Sequence, residues 1–497
     1  MIDFFEDFKI RMSQVYFIMI FTILAMYVHN GYFDLVEAKG NMLLWTTLVY
    51  VVVIILSYIL ICIRNHKINA GFWATFDIFE CCLLAFAFVS VMSVAVSPTR
   101  LTAFWGSDGC CIGALTIILL CLSCIFMKRY LELEKWMTAI MAVSGIIIFV
   151  LGITDCFDLD IMGWHKGIAA SHFDFLSTIG NRDYYDGYLA LTLPFFAVLL
   201  LFEKDKIWHA IYGLFLVLGF INMYIVKNDG NLLIFGCGIF LVYYILKEKV
   251  SVYRVIELLV LFIVASIIVE FICIWIPSEN VVGNSIMGML QDKHWYIALC
   301  GLVAVMCILR KKTLPYNAIR IWIGFSIVIV LLLFVVVVTE YDLSFATDRG
   351  YIWSYGMETF SKSPIGMKMF GWGTDCYKNA IYTIVGERIV VTWPESTLIA
   401  NAHNEIVQYL VTMGLFGVLA YIAIYGITLF SKSEKVDVFV MASRCGIFAY
   451  FCTALGNNPN GLNYGILFVM LALANKNRLA YVGNAHVLNG WVTINGK

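Results

Sequence analysis

Charged residues and prolines are scarce in this sequence. Only 13% of its 497 residues are Asp, Glu, Lys or Arg, and it has 7 prolines. A soluble domain of this length would expose far more charge, and it could not bury the 62% of residues that are hydrophobic. The net charge of −1 and the lack of a basic tail predict no nucleic-acid partner. No Pro/Ser-rich linker or obvious internal repeat divides the chain, so we expect one membrane domain over residues 1–474 and a tail over 475–497.

Long apolar runs recur along the whole chain. Each holds about 20 residues, enough to cross a hydrocarbon core of roughly 30 Å as an α-helix. The sequence therefore predicts an all-α polytopic membrane protein with about fourteen transmembrane helices. The predicted spans are 13–30, 43–63, 76–96, 110–127, 135–154, 187–202, 207–226, 230–247, 253–276, 294–310, 320–339, 404–430, 436–455 and 461–474.

Basic residues mark one set of the loops between these spans. Under the positive-inside rule this set is cytoplasmic, and both termini lie inside with it. The opposite face receives the long loops 155–186, 277–293 and 340–403 and the polar turn 457–460, so the residues able to do chemistry are expected outside. The basic residues are Lys9, Arg11, Arg64, Lys67, Lys128, Arg129, Lys204, Lys206, Lys247, Lys249, Arg254, Arg310, Lys311, Lys312, Lys432, Lys435, Lys476 and Arg478.

The 15 cysteines form no recognisable ligand or redox framework. Cys121 and Cys124 have a CxxC spacing, but they lie within an apolar span that lacks partner ligands for a metal. Cys156 and Cys376 fall in predicted external loops and could form a disulfide, a question that the sequence leaves open.

Loop 155–186 is rich in aspartate and histidine. The spacing of these residues matches no metal-ligand signature, so the loop is interpreted as solvated and no metal site is expected. The residues concerned are Asp155, Asp158, Asp160, His165, His172 and Asp174.

Loop 340–403 is too long to be a mere connection, and its many aromatic residues argue against disorder. Asp348 can cap a helix that starts at Arg349, and Pro364 would end it. The spacing predicts a short amphipathic helix against the mouth of the bundle. Its expected apolar face consists of Trp353, Gly356, Met357 and Phe360.

Arg349 would stand at the first turn of this helix. Its guanidinium is permanently charged, and its planar fork of donors matches phosphate oxygens. The simpler alternative is an arginine paired with Asp348 or Asp342.

His403 follows at the end of the loop. Asn401 is a plausible N-cap, which would place His403 in the first turn of span 404–430. The positive end of a helix disfavours protonation of an imidazole, so a neutral His403 could act as a general base on a sugar hydroxyl. The alternative is a histidine that only hydrogen-bonds at the membrane interface. Glu405 could orient this site or simply benefit from the helix dipole.

Residues 347–417 contain a series of motifs. They are Arg349 with Trp353, Ser363-Pro364-Ile365-Gly366, Gly371-Trp372-Gly373, Ala402-His403-Asn404-Glu405 and Gly414-Leu415-Phe416-Gly417. A further motif lies earlier, where Gly180-Asn181-Arg182-Asp183 leads into Tyr188-Leu189 and Pro194. Together these motifs resemble the O-antigen ligase/polymerase family, and the resemblance is specific over residues 347–417.

The resemblance implies a GT-C-like fold, with the family core at about 170–430 and loop 340–403 as the external catalytic loop. Family members pass a glycan from a polyprenyl diphosphate carrier to a glycan or lipid acceptor outside the bacterial cytoplasmic (inner) membrane, without a metal or other cofactor. Family positions match Arg349 as the donor-binding arginine and His403 as the catalytic histidine. Asn404 and Glu405 would support them.

The sequence departs from the family pattern at two places. Asp183 stands where relatives commonly have a second asparagine. Lys227 begins a Lys-Asn-Asp-Gly segment where relatives tend to have serine–arginine–glycine. Asn181, Arg182 and Lys227 are therefore candidates to complete the binding of the donor diphosphate, although Lys227 could equally be an ordinary interface residue, and a lysine would not reproduce a bidentate grip.

Three alternatives stay open. Within the family, the acceptor of a polymerase is another lipid-linked repeat, whereas a ligase uses a terminal lipid or wall acceptor. A transporter or flippase of lipid-linked oligosaccharide would do no chemistry, but it should place charges deep in a central cavity. A membrane scaffold would leave the pairing of Arg349 with His403 unexplained.

Overall fold

The computed structural model describes residues 2–65, 76–106, 110–167, 174–226, 252–276, 343–393, 399–431 and 437–476, with residues 301 and 304. These residues form sixteen α-helices and one two-stranded antiparallel hairpin. The elements are α1 (Ile2–Ile18, continued by the π-helix Met19–Leu24), α2 (Leu35–Asn65), α3 (Ile78–Val96), α4 (Arg100–Trp105), α5 (Ala114–Tyr130), α6 (Lys135–Cys156), β1 (Phe175–Leu176), β2 (Gly180–Asn181), α7 (Arg182–Phe202), α8 (Lys206–Val226), α9 (Val252–Trp275), α10 (Phe345–Lys362), α11 (Ile365–Phe370), α12 (Tyr377–Thr392), α13 (Glu405–Thr412), α14 (Gly414–Phe430), α15 (Val438–Ala454) and α16 (Gly461–Ala474).

The prediction of an all-helical membrane protein is confirmed in its main feature. Within the described ranges, six helices are long and apolar enough to cross a membrane, namely α2, α3, α6, α7, α8 and α9. The apolar helices α14, α15 and α16 are shorter. The total of about fourteen spans and the external position of loop 340–403 stay predictions. Spans 230–247 and 320–339 lie outside the described residues, and only residues 301 and 304 of span 294–310 are described.

Helix α7 is the centre of the bundle. In its apolar window, 94% of the residues are buried inside the protein, a larger share than in the other five long apolar helices of the described chain. It packs against α8, α15 and α16. Gly446 of α15 allows a very close approach, because a Cβ atom there would lie 2.4 Å from the Leu191 carbonyl oxygen. This packing holds α7 along most of its length, from Tyr185 to Leu201.

The C-terminal end of α7 lies beside several basic residues. We call this end of the bundle the basic end. Lys135 Nζ lies 2.9 Å from Glu203 Oε1, and Arg254 Nη2 donates to the Glu203 carbonyl at 2.9 Å. Lys476 Nζ donates to the carbonyl of Leu131. These contacts gather loops that the charge pattern assigns to one face. Which compartment faces the basic end stays a prediction from the positive-inside rule.

The predicted single span 404–430 is wrong, since two helices stand in its place. Helix α13 ends before Met413, whose φ is −125° and ψ is 0°, and α14 begins at Gly414. The carbonyls of Val411 and Thr412 accept the backbone N–H groups of Trp372 and Gly373, each at 3.0 Å. The sequence does not reveal this break, because the apolar run continues through it. The freed carbonyls accept hydrogen bonds from a segment that is distant in sequence, so the break leaves no local signal.

Replacing Gly371 by alanine should weaken this junction strongly. Gly371 has φ +82°, and an added Cβ would lie 2.2 Å from the Thr412 carbonyl carbon and oxygen. Strain and overpacking together should cost about 2–4 kcal/mol. Thermal unfolding in detergent measures the loss. Gly366→Ala is the matched control, because nothing lies within 4 Å of a Cβ there. Equal unfolding midpoints for the two variants would contradict the close contact.

The expected amphipathic helix exists as α10, but its start and its apolar face differ from the prediction. It begins at Phe345 instead of Arg349, and Asp348 adopts φ +65° while its carboxylate accepts the Trp393 indole N–H at 3.2 Å. Tyr355, together with Gly356 and Thr359, is buried, whereas Met357 is 50% exposed. The buried side packs on α12 and α13 and forms a second apolar cluster, separate from the main core.

Cys156 and Cys376 do not form a disulfide. Both side chains are buried. Thr99 Oγ1 donates to Cys376 Sγ at 3.4 Å, so the loop around Cys376 is tied to the chain just before α4 instead. Burial raises the pKa of the Cys376 thiol to about 11, so this thiol stays protonated near neutral pH.

Candidate functional site

Three charged or titratable side chains meet where α7 begins, an end of the bundle that we call the site end. Arg349 Nη2 lies 3.2 and 3.0 Å from the two carboxylate oxygens of Asp183. His403 Nδ1 lies 3.2 Å from Oδ2 of the same carboxylate. The structure therefore brings together the two residues that the sequence singles out, Arg349 and His403, through a shared partner.

The backbone of Asp183 is held from both sides. Asn181 is the N-cap of α7, and its side chain accepts the Asp183 N–H at 2.8 Å. Asn457 Nδ2 donates to the Asp183 carbonyl at 2.9 Å. Because α7 is packed on nearly every side, the backbone that carries the Asp183 carboxylate is held in place at the first turn of this helix.

Arg349 reaches this carboxylate from α10. Its Nη1 also donates to the Gly456 carbonyl at 2.5 Å, so the guanidinium spans two separate acceptors. The simpler partner proposed from the sequence, Asp348, binds Trp393. Asp342 lies outside the described residues. The Arg349 side chain keeps 21% of its surface exposed.

His403 lies just before α13 and not in its first turn. Asn401 is not the N-cap, because the Asn404 side chain accepts the N–H groups of Ile406 at 2.9 Å and Val407 at 3.1 Å. His403 itself has φ +46°, and its N–H donates to Asn458 Oδ1 at 2.6 Å. Asn404 therefore takes the capping role that the sequence predicts for Asn401. The Asp183 carboxylate, 3.2 Å from His403 Nδ1, is a charged neighbour that the sequence does not predict.

The imidazole of His403 has two competing partners at one nitrogen. Nδ1 lies 3.2 Å from Asp183 Oδ2 and 3.2 Å from Asn458 Nδ2. The Asn458 amide orientation is set because its Oδ1 accepts the His403 N–H. A bond from Asn458 requires a bare Nδ1, whereas a bond to Asp183 requires Nδ1–H. In that second tautomer the lone pair is on Nε2, where it can accept a proton.

Glu405 points away from these groups into the core of the bundle. Its carboxylate is fully buried and accepts the hydroxyls of Tyr450 and Tyr464, each at 2.7 Å, and that of Tyr421. These tyrosines belong to α14, α15 and α16. Glu405 therefore ties the start of α13, and with it the chain after His403, to three helices of the bundle.

The remaining predicted site residues occupy different settings. Arg182, with 33% of its side chain exposed, has Nη2 3.5 Å from Asp174 Oδ1. Asn404 Nδ2 donates to the Leu455 carbonyl at 2.9 Å, so Asn404 links α13 to the end of α15. Lys227 lies outside the described residues.

Three contributors to the site are not predicted by the sequence. In the sequence, Asp183 is only a departure from a motif, and Asn457 and Asn458 are only part of a polar turn. Asn457 and Asn458 are buried, and both hold site residues. The sequence signal that could have identified Asn457 and Asn458 is the run of asparagines between two apolar helices, because buried amides need hydrogen-bond partners.

A second polar group lies in the loop after α6. Ligand atoms of Asp155, Asp160 and His165 all lie within 4.8 Å of one another. The expectation of a solvated loop is wrong for two of them, because Asp155 and His165 are buried. His165 Nε2 lies 2.9 Å from the Phe175 carbonyl oxygen, and Asp155 Oδ2 accepts the Ser177 N–H at 2.7 Å. These hydrogen bonds attach the β1–β2 hairpin to the end of α6. His172 lies outside the described residues.

The fold and site define a helical membrane protein with an arginine, a carboxylate and a histidine gathered at one end of its bundle. The family model for the O-antigen ligase matches residues 286–422, so this part of the chain is similar to that family. This match confirms the resemblance seen in the motifs of residues 347–417. It contains Arg349 and His403, whereas Asp183 and Asn458 lie outside it. No curated protein matches the chain.

Proposed function

We propose that the protein is a glycosyltransferase of the bacterial cytoplasmic membrane that transfers a glycan from a polyprenyl diphosphate to an acceptor hydroxyl. One observation carries the proposal: Arg349 and His403 lie on the same carboxylate, within a chain that contains an O-antigen ligase match. A permanent cation for an anionic leaving group and a base for a hydroxyl are the two groups that such a transfer needs.

Arg349 would bind the donor diphosphate. Its guanidinium matches two phosphate oxygens and would stabilise the charge that develops as the carrier leaves. This charge comes from a side chain, so the proposed route uses no metal ion or other cofactor. Asn181 and Arg182 lie at the same helix start as Asp183, and we propose them, together with Lys227, as further contacts for the diphosphate.

His403 would activate the acceptor. Nε2 takes the proton of the acceptor hydroxyl while the hydroxyl oxygen attacks the anomeric carbon of the donor sugar. The bond between that carbon and the phosphate oxygen breaks, and polyprenyl diphosphate leaves with the electron pair. Attack opposite the leaving group inverts the anomeric centre. Asn404 and Glu405 support this step by fixing the chain around His403.

The charge pattern supports an external position for this chemistry. The basic end gathers lysines and arginines, and the site end lies at the opposite end of α7. With the basic end in the cytoplasm, the site faces the side to which lipid-linked glycans are delivered for assembly. The acceptor is a lipid-linked repeat for a polymerase and a terminal lipid or wall glycan for a ligase.

Reconstitution in vesicles tests the proposal. Purified protein is mixed with a labelled polyprenyl-diphosphate-linked oligosaccharide and an acceptor glycan or glycolipid. We expect label to appear on the acceptor, together with free polyprenyl diphosphate, and we expect the His403→Ala protein to form neither product. Movement of the label between leaflets with the glycosidic linkage intact would instead identify a transporter, and no bond cleavage by the wild-type protein would refute the transferase.

A further inference from the structure

Asp183 has two functional partners but one carboxylate. Oδ2 lies 3.0 Å from Arg349 Nη2 and 3.2 Å from His403 Nδ1, so a single oxygen serves both residues. The Asp183 side chain is 13% exposed, against 21% for Arg349 and 32% for His403. The carboxylate therefore lies beneath the two groups that a substrate would meet.

Arg349 is freer to move than the Asp183 carboxylate that it binds. Asp183 is fixed by Asn181 and Asn457 at the start of the packed helix α7. Arg349 is held through a long side chain that can change rotamer while its backbone stays in α10. A ligand that competes for the guanidinium can therefore draw Arg349 off the carboxylate, whereas the carboxylate keeps its place beside His403.

A diphosphate is such a competitor. It carries more negative charge than one carboxylate, and its oxygens fit the same guanidinium fork. Once Arg349 turns to the diphosphate, the cation beside Asp183 is gone, and Oδ2 becomes a stronger acceptor for His403 Nδ1–H. This favours the bond to Asp183 over the competing one from Asn458, and it leaves the lone pair on Nε2.

We propose that Asp183 is a positioning residue that couples donor binding to activation of the base. In the donor-free site it occupies Arg349 as an internal competitor. When the donor diphosphate takes Arg349, Asp183 orients His403 alone. This inference rests on the proposed function. It predicts two opposite effects of the carboxylate, which lowers the affinity for the donor and raises the rate of the catalytic step.

The variant Asp183→Asn separates the two effects. The amide removes the negative charge while keeping the size of the side chain. With Arg349 released, we expect the KM for the polyprenyl-diphosphate donor to fall by about three- to tenfold, on the scale of the net contribution of one hydrogen bond. With His403 less well oriented, kcat should fall by roughly 10²-fold or more. A merely structural defect would raise KM or leave it unchanged.

A binding measurement keeps this test independent of the glycan chemistry. Farnesyl diphosphate serves as a short polyprenyl diphosphate probe for detergent-solubilised protein, and Asp183→Asn should bind it about three- to tenfold more tightly than wild type. Glu358→Gln is the matched control, since it also removes a paired carboxylate, one that binds Lys362 at 2.8 Å on α10, and its affinity should equal that of wild type.

The outcomes distinguish this inference from the proposed function. If wild type transfers glycan but Asp183→Asn shows an unchanged or raised donor KM, the shared-carboxylate inference fails and the transferase stands. If wild type transfers nothing, the proposed function fails, and tighter binding of farnesyl diphosphate by Asp183→Asn would still support the competition for Arg349. Should Asp183→Asn fold poorly, Asp183→Glu keeps the charge. Its donor KM should equal or exceed that of wild type, and a lowered KM would overturn the inference.

Discussion

The His403→Gln protein is expected to lose transfer activity by roughly 10²–10⁴-fold while folding normally, and His403→Ala should do the same. Glutamine retains polar atoms near Asp183 and Asn458, but it has no titratable nitrogen to accept the proton of the acceptor hydroxyl. The measurement is the initial rate of label transfer in vesicles at saturating donor. Donor binding should change little, because the diphosphate is assigned to Arg349.

A second histidine–carboxylate pair offers a matched control for this experiment. His209 Nε2 lies 2.5 Å from Glu257 Oε1, and Arg254 is near both, so a histidine, an arginine and a carboxylate also meet at the basic end. His209→Gln removes an imidazole from an equivalent setting without touching the site end. Its transfer rate should match that of wild type. Loss of activity in both variants, or in neither, would contradict the assignment of His403 as the base.

The Arg349→Ala protein is expected to lose transfer by roughly 10²–10³-fold and to lose measurable binding of farnesyl diphosphate. Two effects act together. The diphosphate loses its cationic partner, and Asp183 is left without the cation that it binds at 3.0 Å. Arg349→Lys should recover only part of the activity, because an ammonium group cannot form the parallel pair of hydrogen bonds.

The matched control for Arg349 is Arg388 of α12. Arg388 forms an ion pair with Glu358 on the surface of the same loop region, so Arg388→Ala removes an equal charge away from Asp183. We expect wild-type binding and transfer for Arg388→Ala, since an exposed ion pair contributes only about 0–1 kcal/mol to stability. If Arg349→Ala bound farnesyl diphosphate as tightly as Arg388→Ala does, Arg349 would not be the donor-binding group.

Local sequence patterns predicted most helices of the described chain well. Helix α6, expected over 135–154, runs from Lys135 to Cys156, and α16 matches its expected range of 461–474. Apolar runs of membrane length require helices, because every backbone group in hydrocarbon needs an internal partner. The break at Met413 escaped this logic, since the partners of the freed carbonyls lie some 40 residues earlier in the chain.

The site was predictable only in part, for the same reason. Arg349 and His403 were identifiable by residue type and motif, and both reach the site. Asp183 could not be placed there from local patterns, because it is 166 residues from Arg349 and 220 residues from His403. Asn458 decides the conformation of His403 from a distance of 55 residues. Hydrogen bonds over such separations leave no periodic trace in a sequence.

The junction of Gly371–Gly373 with the end of α13 gives the two chemical groups a common support. Arg349 belongs to the segment before this junction, and His403 stands directly before the helix that the junction binds. The two backbone hydrogen bonds of the junction therefore tie the segment that follows Arg349 to the helix that follows His403. Weakening this junction should disturb the relative placement of the cation and the base, on which a near-attack geometry depends.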